Sequence, residues 1–363
     1  MAVANEGIKR SLYVTREISC QIQRVSFVAF IMLVAIHSQV FNLVETSIDV
    51  DRFFQRFIFR DLTAWAVPYF FVVAGFFFSK RLQREMVDDR LSLNFWRMFY
   101  RTKIKTLFFP YVLWTIVCTL LIAPIILGAN YMSSRPLGMN ILYTQDGFVD
   151  IFGLYSWAGP KNAGHLWFLR TLIILFLISP LFYRFFQFKH FIQGGILILI
   201  YTLSVFDLPL IRPLFYFLFG GAFFSFILMM KDRIKWYFSG GGWVIFMLGY
   251  MVLSLMCPYL KLLLSVLEVA GVFCAILFWA SVMTLFEGAV TFVRPTFFYY
   301  CVHIIFTTYL TYGFIFLNRA SSMWEWIFSI MTLLGGVLGS VGLHKVMHRW
   351  TPSVLSILDG GRE

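Results

Sequence analysis

Long apolar runs recur along the whole chain, and they limit its possible folds more than any other feature. A helix needs about 20 residues to cross the hydrocarbon core of a bilayer, and most runs reach that length. The chain is 60% hydrophobic and 13% charged, against about 45–50% and about 25% for soluble domains. The ten runs are 25–43, 61–79, 107–127, 166–187, 190–206, 212–230, 242–260, 262–286, 292–317 and 325–344.

These runs predict an all-α polytopic membrane protein, a bundle of about ten transmembrane helices. Helices satisfy their own backbone hydrogen bonds, which lipid cannot do. The predicted parts are a cytoplasmic N-terminal segment (1–24), one transmembrane domain (25–345) and a cytoplasmic C-terminal tail (346–363). No small-residue cleavage site follows the first run, so it reads as a retained span rather than a signal peptide.

The distribution of basic residues predicts the topology. With the N-terminus placed in the cytoplasm, 21 of the 30 Lys and Arg residues fall in cytoplasmic segments and eight on the opposite side. This bias favours two cytoplasmic termini, and therefore an even number of spans. It also accounts for the net charge of +12 without nucleic acid as a partner. We expect a multi-pass protein of the cell (inner) membrane.

Few ionisable residues lie within or at the edges of the predicted spans, and each is a candidate functional group because burial in lipid is costly. The five cysteines form no C-x-x-C pair, so no metal site is predicted. The ionisable candidates are His37, Arg170, Glu268 and His303 within spans, and Asp61, His165 and Glu287 at span edges.

Taken alone, each candidate has a plain structural interpretation beside a chemical one. His37 is either a general base, since imidazole titrates near neutral pH, or a packed histidine bonded to a neighbouring helix. His165 is typical of an interfacial aromatic belt. Asp61 either orients an imidazole or pairs with Arg56 or Arg60. Spacing does not decide between these roles.

The predicted cytoplasmic segment 80–106 is strongly basic. Such segments set topology and bind anionic lipid head groups. A second interpretation is a landing surface for a cytosolic polyanion such as coenzyme A, although the chain has no P-loop or G-x-G-x-x-G motif. At this point an enzyme and a transporter are both open.

Seven stretches in a fixed order resemble the acyltransferase 3 family, which modifies surface sugars with acetyl, succinyl or similar groups. The resemblance covers nearly the whole chain. In order, the stretches are VAFIMLVAIHS, AVPYFFVVAGFFFSKRL, KIKTLFFPYVLW, GHLWFLRTLIILFLISPLF, FYFLFGGAFF, FFYYCVHIIF and TPSVLSILDGGR.

The resemblance implies that His37 is the catalytic residue. In the family an Arg precedes this His with ten residues between, which places both on nearly the same helix face. This chain has Ser26 at that position, and the nearest arginine, Arg24, lies about 200° away round the helix. The chain also has Ala74-Gly75 where the family often has Ser-Gly, and lysines where it often has two arginines entering the third span.

The resemblance further implies a membrane-bound O-acyltransferase that uses acyl-CoA, first of all acetyl-CoA, as a co-substrate rather than as a tightly bound cofactor. Its partners would be membrane lipid and a sugar or polysaccharide acceptor. Arg97, Arg101, Lys103 and Lys105 would hold the coenzyme A phosphates, and His165, Asp61 and Trp167 would line the acceptor side. The alternatives are a transporter or flippase-like protein without covalent chemistry, and an inactive relative, which Ser26 motivates.

Overall fold

The structure, a computed structural model, is mainly helical in the residues that it describes, and these contain no strand. The described residues are 16–38, 50–86, 91–132, 152–153, 159–160, 163–206, 208–231, 233–286, 293–316 and 322–362. The α-helices are α1 Arg16–His37, α2 Val50–Arg56, α3 Ala66–Glu85, α4 Leu93–Lys103, α5 Phe109–Met132, α6 Trp167–Leu177, α7 Ser179–Phe182, α8 His190–Leu203, α9 Ile211–Met230, α10 Trp236–Met256, α11 Lys261–Val282, α12 Thr296–Phe316, α13 Ser322–Trp350 and α14 Pro352–Leu358.

As far as they are described, the ten apolar runs all coincide with helical segments. Within the described ranges, seven helices are long and apolar enough to cross a membrane, and an eighth crossing results if one bent pair counts as a single span. The two remaining runs correspond to the shorter helix α8 and to α12, which is rich in tyrosine and threonine. The protein is therefore a multi-pass helical membrane protein. Ten crossings with both termini cytoplasmic stay a prediction.

Two of the spanning helices are longer than a bilayer requires. Phe53–Glu85 and Leu93–Ile125 have 33 residues each, about 50 Å at 1.5 Å per residue against a core of about 30 Å. Both include π-helical turns, at Phe57–Asp61 and Ile104–Phe108. The basic segment 80–106, which was predicted as a cytoplasmic connection between two spans, is therefore largely helical.

The bent pair joins Gly164–Leu177 to Ser179–Gln187 at an angle of 60°. The break falls at Ile178, and Pro180 stands in the first turn of the helix that follows. Proline has no backbone N–H and its ring clashes with the preceding turn, so a continuous helix cannot pass this point unbent. Proline therefore accounts for the bend.

The chain divides into two compact units. Unit 1 comprises residues 1–29, 64–101 and 174–293, and unit 2 comprises 30–63, 102–173 and 294–363. Glu287 and most of 128–165 lie outside the described residues.

In unit 1, helices α3 and α9 cross at glycines. A Cβ atom added at Gly75 would collide with the backbone of Phe217, and one added at Gly220 would collide with the backbone of Val72. Small residues allow membrane helices to approach this closely. The stretches VVAGFFF and LFGGAFF are therefore the two sides of one crossing.

Unit 1 also contains the acidic candidate Glu268. The guanidinium of Arg212, in the first turn of α9, donates to the Glu268 carboxylate on α11 at 3.1 Å. Charges within a bilayer are usually paired in this way. The structure thus gives Glu268 a partner within its own unit.

In unit 2, helix α12 packs against α13 and α5, and the C-terminal helix α14 packs against α5. The Trp114 indole N–H donates to the Leu358 carbonyl at 3.0 Å, and the Arg362 guanidinium donates to the Thr106 carbonyl at 2.6 Å. Gly360 adopts a φ of 69° where it meets Thr106, a conformation that favours glycine. The stretch TPSVLSILDGGR therefore folds back onto the start of α5.

Candidate functional site

Three histidines of unit 2 lie together, and we refer to His37, His165 and His303 as the histidine cluster. The ring centroid of His303 lies 5.3 Å from that of His37 and 5.3 Å from that of His165. The three residues come from α1, from the 3₁₀ turn Gly164–Leu166 and from α12. Residues far apart in the chain thus meet at His303.

His303 occupies the centre of the cluster and is fully buried. Its Nδ1 lies 2.7 Å from the carbonyl oxygen of Tyr300, one turn earlier on α12, and donates its hydrogen there. Its Nε2 has no hydrogen-bond partner among the described residues. The ring is thus oriented by its own helix.

His165 approaches α12 from the 3₁₀ turn and is also buried, with 4% of its surface exposed. Its Nε2 lies 3.1 Å from the Cys301 carbonyl oxygen and donates to it. In return, the Tyr300 hydroxyl donates to the His165 carbonyl. The turn and the helix are therefore joined by reciprocal hydrogen bonds, which fix the imidazole in place.

His37 is the last residue of α1 and is half-buried. It is the most exposed of the three residues, since the other two are buried. A general base needs access both to its substrate and to a proton relay or solvent. Within the cluster, His37 therefore fits the role of the group that meets a substrate.

Aromatic side chains enclose the cluster. Phe30 is fully buried and its ring lies 6.1 Å from His303, with the two rings nearly perpendicular. The Tyr300 ring lies 5.7 Å from His165 and 6.2 Å from His303. Such walls exclude water and lower the local dielectric constant, which strengthens electrostatic interactions at the site.

The two other predicted acceptor-side residues, Asp61 and Trp167, lie in different local environments. Asp61 ends the π-helical turn and is buried, and the ion pair described for it is with Arg56, at 3.7 Å. That pairing was one of the two interpretations that the sequence left open. Trp167 opens α6 directly after the 3₁₀ turn, where it packs beneath Gly159, which has a φ of 94°. Trp167 thus stands two residues after His165, and Asp61 is paired with Arg56.

Arg170, a charged residue of the span that begins after His165, is also buried. Its guanidinium donates to the carbonyl of Gly153. The adjacent Phe152 carbonyl accepts a hydrogen bond of 2.6 Å from the Tyr111 hydroxyl on α5. Arg170 thus anchors residues 152–153, a short described segment between α5 and the 3₁₀ turn.

The four basic candidates lie along α4 and the π-helical turn that follows it. Arg97 and Arg101 are exposed on α4, while Phe95 and Phe99 on the same helix are buried. Lys103 is half-buried and Lys105 is exposed. An amphipathic helix with a basic face of this kind suits a polar interface, as expected for a segment that meets anionic head groups or phosphates.

In unit 1, Ser26 occupies the position where the family has arginine. Its hydroxyl donates to the Ile22 carbonyl at 2.7 Å and lies 3.4 Å from the Tyr69 hydroxyl, which also donates to the Ile22 carbonyl. Arg24 donates to the Met283 carbonyl at 3.3 Å. The described contact of Arg24 is thus with the end of α11, as expected for a cation at a helix C-terminus.

Sequence reasoning named His37 and His165 as site residues and left His303 undecided. A weak signal was present, because Tyr300 and His303 stand three residues apart on an apolar helix and therefore share a face. The carbonyls of Tyr300 and Cys301 carry no signal in the sequence. Within the described residues, no group of three or more His, Cys, Asp or Glu side chains is placed to hold a metal ion.

Comparisons with known proteins agree with the resemblance seen in the sequence. The family model described as an acyltransferase domain, acyltransferase 3, matches residues 26–344, nearly the whole chain. Neither the curated proteins nor the solved structures gave a match. The matched range includes all three members of the histidine cluster. The chain therefore belongs to the acyltransferase 3 family.

Proposed function

We propose that the protein is an O-acyltransferase of the cell (inner) membrane that moves an acyl group, first of all acetyl, from acyl-CoA to a hydroxyl of a cell-surface or lipid-linked sugar. The observation that carries this proposal is the buried, aromatic-walled histidine cluster with its half-buried member His37. Membership of the acyltransferase 3 family supports the same chemistry.

The acyl donor would dock through its phosphates. Four basic residues, Arg97, Arg101, Lys103 and Lys105, fall within a short stretch of chain, and the predicted topology places this stretch in the cytoplasm, where acyl-CoA is made. Arginine grips phosphate through two parallel hydrogen bonds, whereas lysine acts as a point charge. We therefore expect Arg97 and Arg101 to contribute more to donor affinity than the lysines.

His37 would act as the general base. It removes the proton from the acceptor hydroxyl, whose oxygen attacks the thioester carbonyl of the acyl-CoA. The tetrahedral intermediate then collapses as its carbon–sulfur bond breaks, and the ester and the thiolate of coenzyme A leave. The proton finally passes to the thiolate, so that no other reactant is consumed.

The acceptor would be held by side chains around the histidine cluster. His165 and Trp167 are candidates because they stand two residues apart at the start of the bent helix pair. Tryptophan rings stack on the apolar faces of sugars and keep a polar N–H for a hydroxyl. Asp61 stays a candidate for the acceptor side, with its carboxylate oriented by Arg56.

The first test is transfer by the purified protein, measured with radiolabelled acetyl-CoA in lipid nanodiscs that contain lipid-linked glycans from the source cell. His37→Ala should reduce transfer at least about 100-fold, the usual contribution of a general base. His348→Ala, on the exposed end of α13, is the matched control. Normal transfer by His37→Ala would overturn the assignment of His37.

A second test distinguishes the enzyme from a transporter. The one observation that favours transport is the bent helix pair, which is a single broken span in the described part of the chain. Transporters bind their substrates where two such broken spans, one from each repeat, meet. Thermal stabilisation by acyl-CoA supports the enzyme. Stabilisation by a free sugar or an ion, without any change in surface glycans on deletion, would favour the transporter.

A further inference from the structure

Two neighbouring carbonyls of α12 fix the tautomers of the two buried histidines. A carbonyl oxygen only accepts hydrogen bonds, so the nitrogen that faces it must carry the hydrogen. The Tyr300 carbonyl therefore selects the Nδ1–H form of His303, and the Cys301 carbonyl selects the Nε2–H form of His165. The basic lone pairs are left on His303 Nε2 and His165 Nδ1.

Neither lone pair is satisfied within the described residues. A buried polar atom without a partner is costly, and native proteins keep few of them. Each of these two lone pairs is therefore available to accept a proton or a hydrogen bond from another group of the cluster. His37, the half-buried member, is such a group.

His303 is the better placed of the two to accept a hydrogen bond from His37. An N–H···N bond of about 2.9 Å between two imidazoles in line places their centroids about 5 Å apart. The His37 and His303 centroids are 5.3 Å apart, with an angle of 46° between the rings. The two rings are thus close enough for a hydrogen bond from an N–H of His37 to His303 Nε2.

We propose that His303 is a positioning residue for the acyl transfer: its Nε2 accepts a hydrogen bond from one ring nitrogen of His37 and stabilises the imidazolium that forms when the other ring nitrogen takes the proton of the acceptor hydroxyl. This proposal rests on the proposed function. It gives a neutral histidine the part that a carboxylate plays in the Ser-His-Asp triad, where the third residue holds the base in the correct orientation and stabilises its protonated form.

The proton balance is complete within the site. The acceptor O–H bond breaks and its hydrogen passes to His37, while the hydroxyl oxygen bonds to the acyl carbon. While the tetrahedral intermediate exists, the other ring nitrogen of His37 keeps its own hydrogen bonded to His303 Nε2, which stabilises the positive charge on His37. When the carbon–sulfur bond breaks, His37 returns the hydrogen to the thiolate and is neutral again.

The choice of variant separates chemistry from packing. In His303→Asn, the amide nitrogen takes the place of Nδ1 and keeps the donor to the Tyr300 carbonyl, but the distal basic nitrogen is lost. His303→Ala leaves a cavity that free imidazole can enter. His344→Asn is the matched control. His344 lies on α13, and its ring packs 5.6 Å from that of Tyr299 on α12, the helix that carries His303.

We expect His303→Asn to lower kcat about 100-fold, within the range of proton-transfer contributions, and to leave the KM for acetyl-CoA within about twofold of wild type, since a residue that acts through His37 alters the transition state rather than binding. Imidazole should restore part of the activity of His303→Ala. His344→Asn should keep its kcat within about threefold of wild type.

The outcomes separate the two proposals. A wild-type protein that transfers no acyl group contradicts both. An active wild type with a His303→Asn variant of unchanged kcat contradicts the positioning role alone. Equal losses in His303→Asn and His344→Asn, or no rescue of a folded His303→Ala by imidazole, would assign His303 to packing and would also overturn the inference.

Discussion

At the scale of single residues, Tyr300 connects two members of the histidine cluster. Its hydroxyl donates to the His165 carbonyl, its own carbonyl accepts from His303, and its ring packs against both imidazoles. It is also buried, with 4% of its surface exposed. A change at Tyr300 therefore reaches two of the three histidines without altering them.

Tyr300→Phe should destabilise the cluster by about 1–3 kcal/mol, because it leaves the buried His165 carbonyl without that donor. We expect a lower melting temperature and reduced acyl transfer. Tyr309→Phe is the control, since Tyr309 also donates from α12 to a carbonyl, that of Leu121, but at an exposed site. Equal stabilities of the two variants would show that the Tyr300 hydroxyl has no structural role.

Ser26 offers a second prediction for a single residue. An arginine at this position would compete with the Tyr69 hydroxyl, which is buried and donates to the Ile22 carbonyl. Ser26→Arg should therefore lower the melting temperature by the equivalent of about 1–3 kcal/mol, the usual cost of overpacking. Ser26→Ala should stay close to wild type. A Ser26→Arg variant of higher stability and higher activity would show instead that the site readily accepts the family's arginine.

Among the helical elements, the crossing of α3 and α9 depends on glycine more than on any polar contact. Backbone atoms, not flexible side chains, would meet a Cβ atom at Gly75 and at Gly220. Because backbone cannot move aside without shifting a whole helix, the crossing tolerates little change in volume.

Gly75→Ala should therefore destabilise the protein by about 1–3 kcal/mol or more, as overpacking does. Gly194→Ala is the matched control, because a Cβ atom there meets nothing within 4 Å and alanine favours a helix over glycine. Melting temperatures in one detergent measure the difference. A Gly75→Ala variant as stable as Gly194→Ala would contradict the close crossing.

For the molecule as a whole, the asymmetry of Lys and Arg predicts the orientation in the membrane. Of these residues, 21 belong to the predicted cytoplasmic side and eight to the other. A green fluorescent protein fused to the C-terminus should fluoresce, and alkaline phosphatase fused there should be inactive, because each reporter works on only one side of the membrane. The opposite result would place the C-terminus outside the cytoplasm and would contradict the predicted topology.

For the charged residues within the spans, the sequence predicted which groups are costly to bury but not which partners they have. It identified the costly groups in the spans, since the energetic penalty depends only on residue type and hydropathy. It could not choose among their partners. Asp61 pairs with Arg56 and Glu268 with Arg212, and neither choice follows from spacing alone.

The sequence by itself determined the helical membrane architecture and the family, because apolar length and motif order are properties of the chain, and it predicted His37 as a site residue. Only the tertiary structure decided that His165 and His303 join His37 and that two adjacent carbonyls select their tautomers. The physical reason is that hydrogen bonds between helices depend on crossing position and rotation, which packing sets and no local pattern of residues encodes.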